Sequence, residues 1–214
     1  KMTYIENIFL CLAIPMILSL FFIKGRARSY TLFVTIGMGI CLLSAYVNSF
    51  FMWLYGVDGM VAAIEITPVC EELLKLLPLL FYFLIFEPEP RELPTVAIAI
   101  AAGFATFENA CYLTENGAAN FGFLLIRGIS AGGLHILCGI LSGFGISYVF
   151  RHRWLSVTGT AGILGACTGF HGIYNLLITA DGGWKTAGYL FPSGLIICLF
   201  IAKIVLPKFT ISLK

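Results

Sequence analysis

The sequence predicts an all-α, polytopic integral membrane helix bundle of about seven transmembrane helices, and three observations carry that prediction. Of 214 residues, 59% are hydrophobic and 11% charged, whereas soluble domains carry roughly a quarter charged residues. The mean hydropathy is +0.96. Apolar stretches run over residues 4–23, 30–56, 60–86, 94–114, 122–150, 154–180 and 186–206. Each is long enough to cross a hydrocarbon core of ~30 Å.

The elements follow in order. The first stretch is apolar from Ile8 to Ile23, and its positive residues Lys24, Arg26 and Arg28 come after it. No small-residue cleavage site precedes them, so it reads as a retained helix rather than a secretory signal. A basic turn at Lys24 to Arg28 leads into the second stretch, and Gly56 to Gly59 closes that one. The third ends in EPEPRELP, Glu87 to Pro94, and the fourth in Glu115 to Asn120. Arg151 to Arg153 and Asp181 to Lys185 end the fifth and sixth. Each break is polar or rich in Gly and Pro.

Orientation follows from Lys and Arg alone, because acidic residues contribute little to the positive-inside bias. A cytoplasmic first loop places Lys24, Arg26, Arg28, Arg91, Arg151, Arg153, Lys208 and Lys214 inside, with Lys1 and Lys185 outside. The expected topology has the amino terminus outside and the carboxyl terminus in the cytoplasm. At this length the spans leave no room for a separate soluble domain. The net charge of +2 includes no basic tract, so nucleic acid is not an expected partner and the lipid bilayer is. The seven cysteines, Cys11, Cys41, Cys70, Cys111, Cys138, Cys167 and Cys198, fall one to a span and read as small buried hydrophobes. Three glycine pairs, Gly128 with Gly132, Gly139 with Gly143 and Gly165 with Gly169, have the spacing that lets helices approach closely.

Within the spans stand residues that a bilayer disfavours: Glu71, Glu72, Lys75, Glu108, Arg127, His135 and His171. Left unpaired and dry, the set costs on the order of 10 kcal/mol. Counting inward from the outer face at the helical rise places Arg127 and Asn175 at ~8 Å and Glu108 at ~10 Å. His171 falls at ~14 Å, Glu71 and Glu72 at ~16 Å and His135 at ~20 Å. Four helices thus contribute to one layer. Glu71 and Lys75, Phe104 and Glu108, and His171 and Asn175 are each four apart and share a helix face. Glu71 and Glu72 point about 100° apart, so one can face a cavity while the other reaches Lys75 or a neighbouring helix.

A lone buried histidine usually makes a helix-to-helix hydrogen bond, and a lone glutamate pairs with a cation. Two cations, however, cannot pair with three glutamates and two histidines. Arg127, near the outer interface, is placed to snorkel. Glu65 reads as interfacial and His152 as solvated.

Such a group suits hydrolysis: a carboxylate takes a proton from water, imidazoles bind metal or stabilise an oxyanion, and an amide donates a hydrogen bond. A catalytic zinc takes three protein ligands and keeps one open position. His135 and His171 with one glutamate, Glu72, Glu71 or Glu108, would make that set and leave another glutamate as general base. A metal-free version, in which glutamate and histidine activate water directly, uses the same residues. The expected cofactor is therefore at most one divalent metal such as zinc.

At these residues the chain resembles the PrsW family of intramembrane proteases, within the superfamily of CAAX prenyl endopeptidases and their bacterial relatives. The matching text is Pro68-Val69-Cys70-Glu71-Glu72-Leu73-Leu74-Lys75, then Gly103-Phe104-Ala105-Thr106-Phe107-Glu108-Asn109. His135 follows Arg127, and His171-Gly172-Ile173-Tyr174-Asn175 closes the set. The resemblance implies one integral membrane protease domain over 1–214, in a bacterial or archaeal cell membrane. It implies cleavage of a single-span membrane protein near the extracytoplasmic face, the family's named example acting on an anti-sigma factor. By matching position, Glu71 and Glu72 would carry the catalytic pair, and Glu108, His135 and His171 would complete the water-activating or metal site. Asn175 would assist the oxyanion. The prenyl endopeptidase branch reads EExxxR and FxxxH; here Lys75 comes one residue earlier and Glu108 replaces the histidine, which counts against prenyl-protein substrates. Two other readings compete: a non-catalytic membrane scaffold of the same superfamily, and an ion-coupled transporter, for which intramembrane Glu and His are also typical.

Overall fold

A computed structural model describes residues 4–117 and 121–205. Lys1, Lys208, Lys214, Leu206 and Asn120, on which parts of the topology and boundary expectations fall, lie outside them. The described residues are helical throughout, without a strand. The helices are α1 (Ile5–Ser19), α2 (Gly25–Tyr55), α3 (Thr67–Phe86), α4 (Leu93–Asn116), α5 (Phe121–Val149), α6 (Ser156–Thr179) and α7 (Gly183–Val205). Five of them, α2 and α4 to α7, are long and apolar enough to cross a membrane. Helix α3 has 20 residues but carries Glu71, Glu72 and Lys75. Helix α1 has only 15 residues, shorter than the ~20 of a full span, because the chain turns out of the helix at Leu20.

Three expected breaks are partly helical instead. Arg26 and Arg28 lie inside α2, Glu115 inside α4 and Lys185 inside α7, because helices continue past their apolar stretch where polar side chains can reach water. The surface is inverted relative to a soluble protein. Phe21, Phe22, Phe81, Val157 and Phe200 are exposed on the outside, while Glu71, Glu72, Lys75, His135 and His171 are buried. Trp53, Trp154 and Trp184, all exposed, sit at helix ends, where amphipathic rings favour a membrane interface. This is an integral membrane protein.

The packing that matters for the site is α4 against α2 and α5. At the α2–α4 crossing a Cβ on Gly37 would lie 2.0 Å from the Ile100 carbonyl oxygen, and one on Gly103 would lie 1.9 Å from that of Val34. Backbone touches backbone there, and only glycine fits. Of the three spaced glycine pairs, only Gly139 with Gly143 packs this way, against Ala97, Ala101 and Pro94 of α4. Gly128, Gly165 and Gly169 would meet nothing within 4 Å. Spacing alone cannot say which helix face meets a neighbour.

Before α3 the chain makes one turn at Gly59–Val61 and then a π-helical stretch, Ala62–Ile66. Pro68 explains it: proline has no N–H to donate to Ile64, four residues back, and its ring crowds that carbonyl. Widening the turn relieves both. Gly172 of α6 approaches this stretch, with a Cβ position 3.5 Å from the Ile64 oxygen, and so sets His171 beside α3. An apolar layer of Leu76, Leu79, Ile100 and Ile146 closes the bundle on the far side of Lys75.

Four cysteines, Cys41, Cys70, Cys138 and Cys167, are buried as expected. Cys11 and Cys198 are exposed on α1 and α7, since those outer helices bury little of themselves.

Candidate active site

Four helices deliver the site. Near its start, α3 supplies Glu71, Glu72 and Lys75; α4 supplies Phe104 and Glu108; α5 supplies Arg127 and His135; α6 supplies His171. Contacts join them in one network. Lys75 Nζ donates to Glu72 Oε1 at 2.7 Å and to His135 Nδ1 at 2.9 Å. An ammonium only donates, so His135 Nδ1 accepts and the ring hydrogen sits on Nε2. That Nε2 donates to Glu108 Oε2 at 2.8 Å. The other Glu108 oxygen accepts from Arg127 Nη2 at 3.1 Å. Across the site, His171 Nδ1 donates to Glu72 Oε1 at 2.8 Å, which leaves the lone pair on His171 Nε2 facing inward.

The two cations thus take two of the three carboxylates, Lys75 with Glu72 and Arg127 with Glu108. Glu71 is left over. Its Oε2 is shielded from water, has no hydrogen-bond partner among the described residues, and lies 3.9 Å from His171 Nε2. Phe104 forms a dry wall, with its ring 4.9 Å from that of His135 and Lys75 Nζ 4.8 Å above its centroid.

The sequence left open which glutamate reaches Lys75: it is Glu72, three residues away. One expectation changes. Arg127 does not snorkel; it turns inward to Glu108 and stacks its guanidinium 3.7 Å over the Tyr112 ring. Asn175 stands apart from the charged network. Its Nδ2 donates to the Ala63 carbonyl at 2.7 Å, inside the π-helical stretch, where the wider turn leaves carbonyls in need of donors.

The chemistry of the donors fits a metal ion. Ligand atoms of Glu71, His135 and His171 all lie within 4.8 Å of one another, and the unpartnered Glu71 oxygen is the kind of buried group that a cation satisfies. The glutamate in this trio is Glu71, whereas Glu72 orients His171 from behind. His135 joins the trio by giving up one of its two present partners. A second buried group, Glu72 with Cys138 and Cys167, also clusters within 4.8 Å. Both thiols were read from the sequence as packing residues, and they do pack: each donates to the other's backbone carbonyl, at 3.8 and 3.7 Å. The signal for their placement is spacing, because Cys138 lies three residues after His135 and Cys167 four before His171.

Fold and site together define an integral membrane protein with a largely buried carboxylate–imidazole centre built from four helices. The family model described as PrsW family intramembrane metalloprotease matches residues 26–206, and the chain belongs to that family. Neither a curated protein nor a solved structure matches it at a significant level.

Proposed function

We propose that this protein is an intramembrane endopeptidase that hydrolyses a peptide bond of a single-span membrane protein near the extracytoplasmic face, and that Glu71 is the carboxylate at its reacting centre. The observation that carries the proposal is the Glu71 oxygen, buried without a partner among the described residues and 3.9 Å from an imidazole nitrogen of His171. A structural scaffold gains from pairing its buried polar groups, and an unpaired carboxylate costs it stability for no return. That weighs against the scaffold reading. Among the described residues no pair of helices is interrupted symmetrically, which is the pattern that would favour a transporter.

The residues' parts follow from their contacts. Glu71, His135 and His171 would hold a divalent metal such as zinc, which would polarise a water and the peptide carbonyl. Glu72 fixes the tautomer and orientation of His171, as second-layer carboxylates do for metal-binding imidazoles. Lys75 and Glu108 hold His135 between them. Arg127 holds the other Glu108 oxygen and so fixes the carboxylate that orients His135. In a metal-free mechanism Glu71 itself takes the proton of the attacking water. Asn175 has one amide hydrogen left after its bond to Ala63 and lies one turn beyond His171, in keeping with an assisting role at the oxyanion. The domain extends over 1–214 and sits in a bacterial or archaeal cell membrane, amino terminus outside, with an anti-sigma-factor-like protein as substrate class.

The test is cleavage of a single-span substrate by purified protein in proteoliposomes, with Glu71→Gln and His171→Ala alongside and metal content measured on the same preparations. Loss of cleavage in both variants supports the proposal. Equal activity in all three proteins ends it. One metal ion per chain in the wild type, absent from His171→Ala, assigns the metal mechanism; active protein without metal assigns the glutamate mechanism.

A further inference from the structure

Beside the charged network, between α4 and α5, lies a pocket of about 230 Å³. Asn109, Tyr112, Leu113, Leu124, Arg127 and Gly128 line it. It shares a wall with the site, since Arg127 both lines the pocket and holds Glu108, and Asn109 follows Glu108 in the chain. We infer that this pocket is a substrate subsite, seating an apolar side chain of an extended substrate segment next to the scissile bond. The inference rests on the proteolytic reading and deepens it by naming where and how the substrate is held.

Two features select that occupant. Its lining is mostly apolar, and the flat Arg127–Tyr112 stack suits a branched or aromatic side chain. Its wall also contains two unsatisfied polar atoms, the acceptor Asn109 Oδ1 and the donor Arg127 Nε, both without partners among the described residues. One donor and one acceptor are the complement of one peptide unit, which offers one C=O and one N–H. Both atoms are shielded from water, so pairing with a bound chain takes a side-chain rotation. Only an unwound segment has backbone groups to give, because a transmembrane helix satisfies its own internally. Unwinding is also what exposes a scissile bond to attack.

Gly128 supplies the means of testing this. A Cβ there meets nothing within 4 Å, and replacing a helical glycine with leucine raises helix propensity. Gly128→Leu therefore adds bulk at the wall of the pocket, which Gly128 lines, without disturbing the helix. A synthetic single-span peptide carries benzoylphenylalanine at successive positions of its outer juxtamembrane segment and is photolysed with the Glu71→Gln protein in proteoliposomes. Labelling of residues 109–113 or 124–128 from one or two adjacent positions, lost when Gly128→Leu is added, is the expected result. Labelling that ignores position, as for a pocket filled by a lipid tail, overturns the inference. So does labelling unchanged by Gly128→Leu, or none at these residues. In cleavage by otherwise wild-type protein, Gly128→Leu should move the preference at the labelled position from large apolar residues to Gly or Ala by about 10- to 200-fold in kcat/KM; an unchanged preference counts against the subsite. A peptide labelled in register that wild-type protein never cuts leaves the subsite standing and removes the protease. Cleavage with position-independent labelling does the reverse.

Discussion

Glu71 Oε2 lies 3.9 Å from His171 Nε2 and has no hydrogen-bond partner among the described residues, while its neighbour Glu72 is held by both Lys75 and His171. Adjacent glutamates thus do opposite things. Glu71→Gln should leave the fold intact, because it changes little in volume and breaks no hydrogen bond of Glu71 Oε2 among the described residues. Cleavage should nevertheless fall by about 10²-fold or more, the contribution of a positioned general base. Thermal unfolding in detergent alongside the cleavage rate checks it; a large loss of stability in Glu71→Gln would count against the assignment.

Glu72 and Lys75 form the buried pair, and their substitutions should couple. Lys75→Met or Glu72→Gln alone leaves one charge buried without its partner, at a cost of about 3–5 kcal/mol. The double variant should lose less than the sum of the two, with a coupling of about 0.5–3 kcal/mol. Denaturation of the four proteins of the cycle measures it. Strict additivity would mean that the 2.7 Å contact contributes nothing to stability.

Gly103 opens one of the blocks on which the family resemblance rests, and its role is in packing rather than chemistry. Its missing Cβ lets α4 touch Val34 of α2, five residues before Glu108. Gly103→Ala must push the helices apart, at about 1–3 kcal/mol or more, and should cut activity by displacing Glu108. Gly165→Ala, where a Cβ meets nothing within 4 Å, is the control and should be neutral in stability. A melting temperature for Gly103→Ala equal to that of wild type would refute the close crossing.

Much of this was legible in the sequence, for identifiable reasons. Hydropathy marked seven helices, most to within a few residues; it missed where Arg26, Arg28, Glu115 and Lys185 extend a helix past its apolar stretch, where α1 stops early at Ser19, and the π-helical stretch before α3. Depth counting brought Glu71, Glu72, Glu108, His135 and His171 into one layer, and their contacts join them in the fold. Rotation about each helix axis was not legible. Periodicity says which residues share a face, but not which face meets which neighbour. That is why the partner of Lys75 stayed open between Glu71 and Glu72, why Arg127 was read as snorkelling to the interface, and why Gly37 went unnoticed while Gly165 and Gly169 were read as contact points. The identity of the unpaired glutamate depends on all of these rotations at once.

Asn175 offers the last test, because two roles for it predict different outcomes. Its bond to the Ala63 carbonyl anchors the π-helical stretch that turns α3, and hence Glu71, toward α6. If that anchor is its contribution, Asn175→Ala leaves a carbonyl unsatisfied at about 1–3 kcal/mol. Amide hydrogen exchange across residues 62–66 should then rise, and activity should fall less than in Glu71→Gln. A direct role at the oxyanion predicts a rate loss of about 10²- to 10³-fold with exchange in that segment unchanged. The amide can serve either role, since one of its hydrogens is bonded to Ala63 and the other is left over, and only the exchange and rate measurements together separate them.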